Sequence, residues 1–398
     1  MSESGRDSLI DQWFSELLTA GLSILLNPVL YIGAVAAGLA GVWRIKRERK
    51  DLRTSVKPWY IELAGFFGLS LILGLLFSVG LSGAGIPLNL YWIYAVSALT
   101  LLIMLTGQFR LLSSAFLFPI VAGGAVAIMF FNVTLPEWFP EPATELLLPA
   151  AVIMSLLLIG EGLLIRFNAG ENTSPRFITT PRGMKAGAFF TKRMWLVPLL
   201  IPVPDGAITA LGWWPLIDTG GSYSLLILPA VIGFQLTVVH DLPDSILKRI
   251  SAQVIWLGLL CGVIAAGSIY APVLIYVSFA AAFIGRLVLV LRTRALCRYS
   301  GYHFIDKERG VMIIEVLPGS PAAKMGLLRG EIIHKVNGQL VKNETEIYAA
   351  LQKNLAHCKL EILNYDGEVR YAQTALHEGQ HYQLGLILIE NRSRYQAS

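Results

Sequence analysis

Between residues 22 and 291 the chain alternates apolar runs of roughly twenty residues with short charged loops, and past residue 298 the pattern changes to short segments punctuated by glycine. An α-helix rises 1.5 Å per residue, so about 20 apolar residues cross a hydrocarbon core of ~30 Å. The pattern predicts spans near 22–43, 60–81, 89–107, 111–131, 146–166, 194–216, 224–240, 251–269 and 272–291. Two are weak: the first contains Asn27-Pro28 and could be a hairpin, and 194–216 carries Pro198, Pro202, Pro204 and Asp205. Six to nine crossings satisfy the pattern.

The later stretch reads as a small folded unit. Gly310 opens a strand from Val311 to Val316, Pro318-Gly319 turns the chain, and Ser320 caps a short helix with Pro321 at its first position. Gly326 ends that helix. A strand from Glu331 to Val336 meets Asn337-Gly338, the preferred pair for a two-residue hairpin. Asn343 with Glu346 caps a second helix, ETEIYAALQKNL, with Ile347, Leu351 and Leu355 on one face. Two further strands flank Asp366-Gly367. The chain thus divides into an α-helical polytopic membrane domain over 1–298, a small α+β domain over 299–390 and a tail over 391–398.

Composition agrees. Of 398 residues, 55% are hydrophobic and only 15% charged, too apolar for one soluble domain. No basic region precedes the first apolar run and no small-residue cleavage site follows it, so it is expected to remain as a membrane segment rather than be removed as a signal peptide. The cysteines, Cys261, Cys297 and Cys358, show neither metal nor disulfide spacing. Lys and Arg concentrate in RIKRERKDLRTSVK after Trp43, in the segment from Arg166 to Arg193, and at Arg292, Arg294 and Arg298. The loop NVTLPEWFPEPATE holds only acids. The positive-inside rule places the basic loops, and with them the C-terminal domain, in the cytoplasm. The net charge of +5 is then explained by these loops and anionic membrane lipid, with no nucleic acid required.

The order of strand, G-S-P-A-A helix, G-E-I-I strand, N-G turn and second helix resembles the PDZ family across residues 299 to 376, with Glu331 where the family usually has Asp. The resemblance implies a partly open β-barrel with two helices, and a groove that takes peptide or protein C-termini by β-augmentation. Ser300, Gly301, Tyr302, His303 and Phe304 match the loop and strand that hold a terminal carboxylate, with Glu344, Tyr348 and Leu351 on the facing helix. QLGLILIE at 383–390 is a rival for the groove strand.

One stretch spells a different chemistry. His377, Glu378 and His381 fit H-E-x-x-H, which binds zinc when both histidines share a helical face and a third ligand completes the site. Here Gly379 sits in the middle, strand-like segments flank it and no third ligand is spaced to join, so a polar loop is expected. The site-2 intramembrane proteases combine H-E-x-x-H with a PDZ domain, and IPVPDG at 201–206 faintly resembles their second motif. That family places H-E-x-x-H in an early transmembrane helix, and the order here is reversed. Glu161 and Asp205 are ionisable groups in apolar runs; Glu161 is expected to reach toward Arg166, and Asp205 to sit in an interfacial turn.

With no nucleophile–base pair, phosphate-binding loop or metal cluster, the chain reads as a binding protein, with no catalytic residue, metal or cofactor. Its organisation, many spans with RIKRERK and SPRFITTPRGMKAG inside and a C-terminal PDZ domain, resembles the MinJ family of division-site selection proteins. That resemblance implies a scaffold at the septum and poles that bridges a DivIVA-like polar scaffold to a MinD-like ATPase carrying the division inhibitor. The alternative is a membrane-anchored PDZ adaptor for an envelope protease. The oligomeric state stays open.

Overall fold

The computed structural model describes residues 3–142, 146–170, 173–181, 183–209, 213–217, 221–299, 301–302, 304–305, 309–353, 357–375 and 384–389. Helix α1 (Glu3–Leu26) is followed at Asn27-Pro28 by α2 (Pro28–Leu52), where the Asn27 side chain accepts from the Val29 N–H and proline occupies the first position. Then come α3 (Tyr60–Ala84), α4 (Leu90–Thr106), α5 (Ser114–Phe130) and α6 (Leu147–Leu164), the last running into a wider turn over Ile165–Ala169. Among the described residues five helices are long and apolar enough to cross a membrane: α2, α3, α6 with its extension, and the later α7 (Pro243–Gly267) and α8 (Leu274–Tyr299). α4 and α5, at 17 residues each, are shorter.

The expected spans at 194–216 and 224–240 are not helices. A short strand β1 (Ser174–Thr179) leads into β2 (Lys185–Thr209), which pairs antiparallel with β3 (Ser222–Val238). Both runs are continuously apolar because the hairpin is covered on both faces, and such a run has no period that separates strand from helix. Trp195, Val197, Leu199, Ile201 and Val203 face the main core with α5 and α6, while Met194 and Leu196 pack with Val29, Phe66 and Met104.

A strand edge in an apolar environment needs a partner for every peptide group. β1 covers β2 only as far as Phe190, so the remaining edge faces α3. Prolines at 198, 202 and 204 have no N–H to leave unpaired. Between them the Leu200 N–H donates to Ser78 Oγ at 2.8 Å, and its carbonyl accepts from Ser82 Oγ at 2.9 Å. The Pro198 carbonyl accepts from Ser78 Oγ and the Pro202 carbonyl from the Leu88 N–H. Over Pro198–Pro204, proline and serine together close the edge. Gly74 lets the helix come that near, since a Cβ there would lie 2.6 Å from Pro198 Cδ.

Of the two ionisable residues in apolar runs, Glu161 takes a partner other than the one its sequence neighbours suggest. Glu161 does not reach Arg166; it is fully buried, accepts from Ser113 Oγ at 2.6 Å, and pairs with Arg286 of α8. It faces the bundle interior, where only a cation on another helix can offset its charge. Asp205 has φ 68° at a bulge where the β2–β3 register shifts, and it is exposed near the hairpin tip.

The C-terminal domain follows its local signals closely. β4 (Val311–Val316), α9 (Pro321–Lys324), β5 (Ile332–Val336), β6 (Gln339–Leu340), α10 (Glu344–Gln352), β7 (His357–Leu363), β8 (Val369–Ala375) and β9 (Leu386–Leu388) appear in turn. The sheet order is β8-β7-β5-β4-β9, with β6 beside β5. Asn337 and Gly338 both have positive φ, 48° and 81°, as the tight hairpin requires. One sheet face forms the domain's own core with Ile313, Ile333, Val336, Ile347 and Leu351. On the opposite face Met312, Ile314, Ile332, Ile387 and Ile389 join the core of the membrane domain. The domain is therefore seated on the bundle.

Candidate docking site on the C-terminal domain

Helix α10 and strand β9 frame the site. Asn343 starts the helix: its Oδ1 accepts from the Glu346 N–H at 2.7 Å, while Glu346 Oε2 accepts from the Lys342 N–H. Ile347, Ala350 and Leu351 turn into the domain core, and Tyr348 packs half-buried at its margin. Burial, reinforced by Glu344, pushes the Tyr348 hydroxyl above its ordinary pKa, so it stays a neutral hydrogen-bonding group.

β9 pairs antiparallel with β4, Ile313 facing Leu388 and Val316 facing Leu386. It is the last strand of its sheet, and its outer edge pairs with no strand among the described residues. Leu384, Leu386 and Leu388 share the core that Ile347 and Leu351 occupy. Gly385, at φ 77°, sits where a Cβ would collide with Ser320, and its carbonyl accepts from the Leu317 N–H.

Residues 301–304 lie elsewhere. Phe304 is fully buried against Phe189, ring centroids 5.0 Å apart, and its carbonyl accepts from the Gly187 N–H. Tyr302 is half-buried beside α8 and β3, and Gly301 is exposed. This segment seals the C-terminal domain to the bundle, away from α10. Ser300 and His303 lie outside the described residues, as do Leu355 and the whole HEGQH stretch. On the facing helix, Glu344 and Tyr348 are half-buried while Leu351 is fully enclosed. The structure thus gives Leu386–Leu388, within the rival stretch, the sheet-edge position next to β4. Its signal in sequence was alternation with apolar residues on both faces, one face for each core.

Charged pairs fix the seat of the domain. Glu331, 2% exposed, accepts from Arg370 Nη2 at 2.7 Å and from the Leu328 N–H, tying the G-E-I-I turn to β8. Arg329 donates to Glu315 Oε1 at 2.8 Å and to Thr173 Oγ1 at 2.9 Å, and lies over the Phe189 ring. Burial outweighs Arg329 and holds the Glu315 carboxyl above its ordinary range. The basic loop after Trp43 joins the same region. Arg44 bridges Glu48 and Glu62, Glu48 accepts from Ser174 Oγ at 2.7 Å, and Arg47 lies over Phe190.

A bundle of apolar helices, several of them long and apolar enough to cross a membrane, carries a PDZ-like domain seated on its basic end. The PDZ domain model matches residues 312–364. Across 96% of both chains the sequence is 32% identical to the "Cell division topological determinant MinJ" of Bacillus subtilis. It is 29% identical to a MinJ relative from Lacticaseibacillus paracasei, over 92% of this chain and 97% of that one. The chain belongs to the MinJ family. A mitochondrial serine protease, HTRA2 of Drosophila ananassae, is 39% identical over 54 residues, 14% of this chain and 13% of its own.

Proposed function

We propose that this chain is a non-catalytic scaffold of the cell membrane that selects the division site, bridging a DivIVA-like polar scaffold to a MinD-like ATPase that carries the division inhibitor. The observation that carries this reading is the full-length similarity to a cell division topological determinant, which takes in the membrane bundle as well as the PDZ domain. The mechanism is positional tethering. The bundle supplies the membrane address, the basic end faces the cytoplasm under the positive-inside rule, and the domain seated there presents α10 and β9 to partners. An extended peptide adding to β9 is read by backbone hydrogen bonds, with Glu344 and Tyr348 on the helix side of the groove. A peptide of a few residues buries far less than the ~1,200 Å² of a stable interface, so several clustered copies are needed to hold a partner.

The test is a fluorescent fusion of the full chain in dividing cells. Signal at septa and poles, with MinD-like and DivIVA-like partners recruited alongside, is the expected result. A uniform membrane signal with stabilised protease substrates points instead to an adaptor for an envelope protease. Tyr348→Glu should reduce partner recruitment while the chain keeps its membrane level. Undiminished recruitment of both partners would move the contacts to the basic loops or the helices.

A further inference from the structure

A cavity of about 400 Å³ lies between α8, β3 and the turn at Phe109–Leu111, at the end of the bundle that carries the basic side chains. Arg110, Arg286 and Arg294 line it, together with Gln235, Thr293 and Tyr302, and among the described residues no aspartate or glutamate does. Arg286 is 4% exposed; its Nη2 is taken by Glu161, but its Nε has no hydrogen-bond partner. Gln235 Oε1 is likewise buried without a partner. Buried polar groups in a folded protein are almost always paired, so two that line one cavity point to a polar ligand. Among the described residues Glu161 balances only Arg286, which leaves the other two arginines as excess positive charge.

The remaining wall is apolar, formed by Phe234, Leu236 and Ile250. A second groove of about 420 Å³ lies between α5 and α8 and is lined almost wholly by carbon, including Pro119, Phe279 and Phe283. Both are lined by α8. Tyr276, Phe279, Phe283, Arg286, Val290, Thr293 and Cys297 recur at intervals of three and four, one stripe of the helix. That stripe begins apolar and ends basic. Beside it Ile284, Leu287, Val288 and Leu291 are exposed, as expected of a lipid-facing helix.

We infer that this stripe is a binding site for an anionic phospholipid, with its phosphate between Arg110 and Arg294, headgroup hydroxyls reaching Gln235 and Arg286, and an acyl chain along the α5–α8 groove. The cavity volume falls in the range of sites built for small ligands. Basic pockets at the cytoplasmic ends of membrane helices suit such headgroups. A soluble anion would leave the apolar groove empty, and a neutral lipid would leave the two arginines unmatched.

The full chain, purified in neutral detergent and stripped of lipid, is equilibrated with phosphatidylglycerol or with phosphatidylcholine of the same acyl chains. Bound lipid is then counted by native mass spectrometry. Phosphatidylglycerol should be retained at least tenfold better, and the double variant Arg110→Gln/Arg294→Gln should lose about thirtyfold in its retention. Alkylation of Cys297, which lines the cavity, should slow when phosphatidylglycerol is bound. Thr293→Trp, which fills the cavity without changing charge, should also displace the lipid. Equal retention of the two lipids overturns the proposal, as does a double variant that folds and holds phosphatidylglycerol like the parent. Displacement of the lipid by millimolar inorganic phosphate overturns it too, since the site would then read a soluble anion.

Discussion

At the scale of single residues, burial decides which charges matter. Glu161 and Arg286 are both enclosed, so removing one leaves the other without compensation. Glu161→Leu is expected to cost ~3–5 kcal/mol, and Glu161→Leu/Arg286→Leu to recover most of it, read from unfolding midpoints of the full chain in detergent. A double variant no better than the single one would show that the pair is not coupled. Glu315 has the opposite logic from a salt-bridged surface acid. Its carboxyl is held above the ordinary value of 4.5 by burial, so the folded chain binds the proton more tightly than the unfolded chain. Stability from this group is therefore present at low pH and is lost as pH rises through the raised value. Between pH 7 and pH 5 the parent should gain stability relative to Glu315→Gln, and parallel profiles would refute the assignment. Cys358 is fully buried, with its thiol pushed up to about 12, so it should resist alkylation at neutral pH while the chain is folded.

At the scale of elements, the β2–β3 hairpin is the least expected feature and its edge the most exacting. Ser78 serves both the Pro198 carbonyl and the Leu200 N–H. Ser78→Ala strips a partner from each, so a loss of ~1–3 kcal/mol per group is expected, visible as a lowered unfolding midpoint. Pro198→Ala adds a peptide N–H on the same edge and should also destabilise, although alanine is the smaller residue. Tolerance of both changes would mean that water reaches this edge. Eleven residues of strand, from Arg193 to Val203, span ~33 Å, about the thickness of the hydrocarbon core. The hairpin thus goes out and back as two helices would, and the C-terminal domain stays at the basic end of the bundle.

At the scale of the molecule, the sheet of the C-terminal domain serves two cores at once, one of its own and one shared with the bundle. Severed from the bundle, the domain would expose Met312, Ile314, Ile332 and Ile387 together, a patch of the kind that drives association. Ile314→Asp in the full chain should release the domain and speed proteolytic cleavage in the connection between α8 and β4. Arg329→Gln, which loosens the contacts with Glu315 and Thr173, should do so more weakly. Unchanged cleavage in both would show that docking does not depend on this face. A domain held this way would offer partners a fixed groove, in keeping with the positional tethering proposed above.

Much was legible in the sequence, because local chemistry carried it. Apolar length announced the helices, basic loops announced one end of the bundle, and caps and turns such as Ser320, Asn337-Gly338 and Asn343 marked out the PDZ domain nearly to the residue. These are effects of neighbours along the chain. Three features were decided only by tertiary structure. The apolar runs expected as spans lie instead in strands β2, to Thr209, and β3, to Val238, because helices cover both faces and α3 supplies hydroxyls to the open edge, neither of which a periodicity records. Glu161 chose Arg286 over Arg166 because the bundle turned it inward, 125 positions from its partner. Phe304 became part of a seal against Phe189 and Leu386–Leu388 the sheet edge because strand order is set by which chain segments pack together in space. Sequence fixes what each segment can bury; the packed fold determines what it is buried against.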